Sequence, residues 1–132
     1  MALIPLRNTM RRLWNWLTGS NVKTAKRPSR VRIGPIEYKI KYKKKMPPLV
    51  GEEEAETCGQ HHPSVSQILL KDGMGDDFTG ETLFHEIIHG IFSQGPHSLN
   101  YEEEESLVML ISSPLLDTLK RNPEVCHYLL GD

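Results

Sequence analysis

Apolar side chains recur along this chain with two periods, and the change from one to the other marks out its elements. In residues 1–17 they fall at Leu3, Leu6, Met10, Leu13, Trp14 and Leu17. That is one stripe of a helix, with Arg7, Arg11 and Arg12 off its centre and Trp16 outside it. Residues 18–30 are polar, contain Gly19 and Pro28, and read as a linker. Across residues 31–42 the period becomes two on both sides of Gly34-Pro35. Ile36, Tyr38, Ile40 and Tyr42 then share one face and Glu37, Lys39 and Lys41 the other, as in a hairpin or bent strand. Pro47-Pro48 and Glu52-Glu53-Glu54 mark an irregular connection, and Gly59 a further break. Residues 64–70 form a second short strand, expected to pair with the first.

Helical spacing returns over residues 82–92, where Leu83, Phe84, Ile87, Ile88, Ile91 and Phe92 demand burial. Thr79 is the expected N-cap, Glu81 suits the first turn, and Gly95-Pro96 is the stop signal. Asn100 with Glu103 three residues later makes a capping box for a second helix. Its stripe is Leu107, Val108, Ile111, Leu115 and Leu116, and Pro114 within it predicts a kink or a break. That helix should end at Asn122-Pro123, leaving an apolar tail over residues 125–130 to pack back on the core. These elements predict an α+β fold. A small antiparallel sheet, from the strands near 31–42 and 64–70, packs on the two helices. A basic amphipathic helix and linker, residues 1–30, precede a domain at 31–132.

At 132 residues there is room for one domain with a modest core. No apolar run reaches membrane-span length, and Arg11-Arg12 interrupts any secretory signal. Cys58 and Cys126 fit no disulfide framework, which suits a reducing cytoplasm. The net charge of −1 conceals a segregation, because residues 1–50 hold thirteen of the sixteen Lys and Arg and one acid, Glu37. A basic N-terminal segment with two Trp could meet nucleic acid or a membrane surface. Mutual neutralisation of the two halves is the simpler expectation, and the strand lysines fit a solvent face.

The chemistry lies in His85-Glu86-Ile87-Ile88-His89. On a helix the two imidazoles stand one turn apart on one face and can reach one zinc ion. Glu86 is placed to hold a water on that ion and take its proton. A buried His pair without a metal would need other partners for its ring nitrogens. A catalytic zinc takes three protein ligands and leaves a fourth position to water. The His-x-x-Gly-x-x-His extension is absent, since Phe92 and Gly95 stand at its Gly and last His positions. His97 lies beyond the Gly95-Pro96 break. Glu102 to Glu105 offer a carboxylate instead, although acids at a helix N-terminus are favoured by the dipole without any metal. Glu105 shares the inward stripe with Val108 and Ser112 and is assigned as the third ligand. Glu104 follows it, sharing a face with Val108 and Ile111, and His97 comes last. Tyr101, His97 and His127 are candidates for a second electrophile at the oxyanion, and Cys58, beside His61 and His62, is a weaker metal candidate.

A Tyr-x-Ile strand, an Ile-Leu-Leu strand, Thr82 to His89 and a Glu-rich helix ending at Asn-Pro together resemble a known family. It is that of the small zincin-like proteins of bacteriophages and prophages, related in plan to the ImmA/IrrE metallopeptidases. The resemblance covers roughly residues 31–123, is specific at the His-Glu helix and loose elsewhere. It implies a zinc peptidase of a bacterial cytoplasm acting on a peptide or protein. Zinc would be held by His85, His89 and Glu105, with Glu86 as the base. The stretch Glu105-Ser106-Leu107-Val108-Met109 lacks the family's Asn, and residues 1–30 lie outside the resemblance. The other reading is a zinc-binding protein that acts by binding a host or phage protein without hydrolysis.

Overall fold

A computed structural model describes residues 26–49, 57–96 and 98–131. The amphipathic stripe of residues 1–17, most of the linker, Glu52-Glu53-Glu54 and His97 lie outside the described residues. The chain divides into two compact units. The larger is Arg27–Pro114, and the described part of the other is Lys26 with residues 115–131.

The larger unit is built on a sheet of β1 (Arg30–Ile33), β2 (Ile36–Lys43), β3 (Gly59–His62) and β4 (Gln67–Lys71), in the order β1-β2-β4-β3. The hairpin β1–β2 turns at Gly34, whose φ of +56 explains the glycine. The α+β class is as expected, but the sheet is mixed rather than antiparallel, since β2 and β4 run parallel from Lys39↔Gln67 to Lys43↔Lys71. The reason is β3, which sequence reading passed over. It pairs antiparallel with β4, so the chain has already reversed once before β4 meets β2. The second strand also starts later than expected. Pro63–Val65 is a 3-10 turn, closed by Ser66 at φ 52.

Alternation sorts the sheet into two faces. Ile33, Tyr38, Ile40, Ile68 and Leu70 form the core, with Val31, Tyr42, Leu83 and Ile87 packed against it. Helix α1 (Asp76–Ser93) lies on this face, against β3, β4 and β1. Thr79 is not its cap. Gly75 is, and Asp76 and Asp77 put the favourable negative charge in the first turn. Thr79 sits inside that turn and is buried, its N–H reaching Gly75 O at 2.8 Å. Of the apolar flanks, Ile88 is buried while Ile91 stands 52% exposed. The helix stops at Gln94-Gly95 as expected, and the Gln94 side chain donates to Ile33 O at 2.6 Å, fastening the helix end to the hairpin.

Helix α2 (Tyr101–Arg121) begins with the expected box: Glu103 N–H donates to Asn100 Oδ1 at 2.8 Å, and Asn100 Nδ2 to Glu103 Oε1 at 3.0 Å. It runs through Pro114 without a break. Proline removes one hydrogen bond, to the carbonyl of Leu110, and that residue is exposed and can be solvated. Only Val108 and Ser112 of this helix are buried; Ile111 and Leu115 are exposed, so the buried stripe is narrower than expected. Among residues 115–131, Arg121 pairs with Asp117 at 2.8 Å. The tail is a helix, α3 (Pro123–Leu130), restarted by Pro123 in its first turn. None of its residues is buried, and Val125, Tyr128, Leu129 and Leu130 are exposed. No described helix is long and apolar enough to cross a membrane.

Candidate metal centre

His85 and His89 project from the same side of α1, with ring centroids 4.9 Å apart and planes at 67°. Glu105 of α2 faces both. Its Oε1 lies 3.2 Å from His85 Nε2 and its Oε2 2.8 Å from His89 Nε2. One ligand atom from each of the three residues fits within 4.8 Å of the others, so the group could hold a metal ion, and no other such group occurs among the described residues. Glu105 is brought there by the stripe that buries Val108 and Ser112, three and seven residues on.

Glu104, which sequence reading set as the rival ligand, does something else. His89 Nδ1 donates to Glu104 Oε2 at 2.8 Å, so Glu104 grips the far side of the ring from Glu105. With the proton on Nδ1, the Nε2 lone pair is left for a metal. Burial pushes the His85 imidazole below its ordinary value, with the Glu105 carboxylate opposing that, which favours the neutral ligand form.

Glu86 is 6% exposed. Burial pushes its carboxyl up to about 7; His89 works against that, and the carboxylates of Glu105 and Glu104 add to it. Strand β3 passes close to this side chain. A Cβ on Gly59 would lie 2.6 Å from Thr82 Cγ2 and 3.0 Å from Glu86 Oε1, so glycine permits the approach.

His61 is the residue that sequence reasoning underrated. Its Nε2 lies 3.0 Å from the hydroxyl of the buried Tyr38, and its ring is nearly parallel to that of His89 with centroids 6.5 Å apart. Burial first, and the neighbouring His89 second, lower its imidazole to about 4, so it is neutral at pH 7. The available signal was alternation within β3: Gly59 and His61 pair with the core residues Leu70 and Ile68, whereas the side chains of Gln60 and His62 bond to each other at 2.7 Å.

Among the described residues no other candidate belongs to the group that could hold a metal ion. Cys58 contributes its carbonyl to Lys71 N–H, and the Cys126 thiol donates to Leu119 O. Tyr101 opens α2 and is exposed, His127 lies on α3, and His97 is outside the described residues. Comparison with protein-family models, curated proteins and solved structures returned no match.

Proposed function

We propose that this protein is a zinc-dependent peptidase of zincin-like plan. The observation that carries the reading is Glu105 spanning the Nε2 atoms of both histidines while Glu86 lies buried beside them. Two imidazoles and one carboxylate are the His₂Glu donor set of catalytic zinc sites, and imidazole nitrogen disfavours calcium or magnesium. The orientation of His89 by Glu104, and the burial that keeps His85 neutral, both fit such an ion. Bound there, zinc would supply Lewis acidity, lowering the pKa of a coordinated water toward ~7 and polarising a peptide carbonyl.

The chain's own residues supply the rest. Glu86, shielded from bulk water beside the two histidines, is placed to accept a proton from water and return it to the departing amine. The partner is accordingly a peptide or protein, as the resemblance of the His-Glu helix and Glu-rich helix to zincin-like proteins implies.

The test pairs zinc content per chain with cleavage of casein. Wild type should bind one equivalent of zinc and cleave. Glu86→Gln should keep the zinc and lose cleavage, and His89→Ala should lose both. Cleavage that survives Glu86→Gln overturns the assignment, and stoichiometric zinc with no cleavage by the wild type assigns binding without hydrolysis.

A further inference from the structure

The sheet face turned away from α1 carries a charge pattern that the proposed peptidase chemistry does not use. Register places Arg30 beside Lys39 and Arg32 beside Glu37, and Lys41 and Lys43 continue the row along β2. Paired and alternate residues share a face. Arg30, Arg32, Lys39, Lys41 and Lys43 therefore lie together, opposite the buried Ile33, Tyr38 and Ile40. All five are exposed, and the single acid in these rows, Glu37, is tied to Arg30 at 3.4 Å. Among the described residues none of the other four is in an ion pair. The β3–β4 half of the same face is different. Gln60 and Leu69 are buried there, and Gln60 donates to Pro47 O at 2.7 Å. The exposed cations of this face thus lie on β1 and β2, with the half-buried Lys71 of β4 paired beside Lys43.

We propose that this face binds the phosphate backbone of nucleic acid. The overall charge of −1 hides it, because the compensating acids lie elsewhere in the chain. Lys39, Lys41 and Lys43 recur at about 6.8 Å, twice the rise per strand residue. A ladder of evenly spaced cations suits a repeating anion better than a single one. No exposed apolar side chain stands among these cations to enter a bilayer, since Val31, Ile33, Tyr38 and Ile40 face the core and Leu69, beside Lys41, is buried. No aromatic ring stands there either, so bases are not stacked or read, and binding is sequence-independent and steeply dependent on salt.

The full-length protein is titrated into a fluorescently labelled single-stranded oligonucleotide and followed by anisotropy. If the five cations each neutralise a phosphate, log K falls against log salt with a slope of about −3.5, roughly a hundredfold loss between about 50 and about 200 mM NaCl. The triple variant Lys39→Glu, Lys41→Glu, Lys43→Glu should flatten that slope by about 2 and weaken binding more than about tenfold at the lower salt. Its zinc content should stay at the wild-type level, showing an intact fold. A second triple variant, Arg7→Ala, Arg11→Ala, Arg12→Ala, should retain binding. The proposal is overturned if the wild type does not bind, or if the lysine variant binds as the wild type does. It is overturned too if polyglutamate or phosphatidylserine vesicles are held as tightly as the oligonucleotide.

Discussion

Replacing Glu86 by Gln should stabilise the metal-free protein at alkaline pH while abolishing the proposed activity. The side chain is 6% exposed, and its carboxyl is raised by burial to about 7 in the folded chain against an ordinary 4.5. Below pH 4.5 the carboxyl is neutral in both the folded and unfolded states and contributes nothing to the difference. As pH rises from 4.5 to 7 the unfolded chain releases this proton and the folded chain keeps it, so the wild type loses stability across that window. Above 7 the loss is complete. The gap of 2.5 pH units between those two values, at about 1.36 kcal/mol for each, is about 3 kcal/mol. Glutamine is never charged and escapes it. His61, lowered to about 4, destabilises the folded state as pH falls below 6.5, but it does so in both proteins and cancels in the comparison. Thermal melts in chelator at pH 4 and pH 8 provide the assay. The two proteins should melt together at pH 4, and the variant should melt about 10 °C higher at pH 8. Coincident melts at pH 8, or a gap already present at pH 4, would refute the reasoning.

Glu104→Ala should weaken zinc binding about 10- to 100-fold, measured by competition with a chelating dye, because His89 loses the carboxylate that orients it; an unchanged affinity would remove Glu104 from the site. Gly59→Ala should cost about 1–3 kcal/mol in urea unfolding by forcing a methyl group against Thr82 and Glu86. Adding Thr82→Ser, which deletes the nearer clashing atom and keeps a hydroxyl for Phe78 O, should recover part of that loss. A double variant no more stable than Gly59→Ala would place the strain elsewhere.

How far each of these features could be read in advance depends on the physical signal it leaves. Helix α1 declares itself through apolar spacing and the Gly95-Pro96 stop, α2 through Asn100 and Glu103, and the hairpin through alternation about Gly34. Because those periods also fix azimuth, the sequence alone sets His85, His89 and Glu105 on converging faces. Strand β3 left almost no signal. Gly-Gln-His-His has no aliphatic side chain, and its place in the sheet comes from pairing with the apolar β4 rather than from its own propensity. Missing it hid the parallel pairing of β2 with β4, the approach to Glu86 and the position of His61. The division of labour between Glu104 and Glu105 was invisible for another reason. Both are half-buried acids in the first turns of one helix, and they differ only in which edge of a ring on another helix they reach.

That pair of neighbouring carboxylates makes the imidazole of His89 a gauge of helix rotation. Successive residues on a helix point about 100° apart, yet Glu104 and Glu105 must meet opposite edges of the same ring at 2.8 Å each. A small turn of α2 about its own axis therefore loosens the proposed ligand and its orienting group together. The azimuth of α2 is set largely by Val108 and Ser112, its two buried residues. Repacking at Val108, a position with no chemistry of its own, would thus be felt as a change in metal affinity well before it was felt as unfolding.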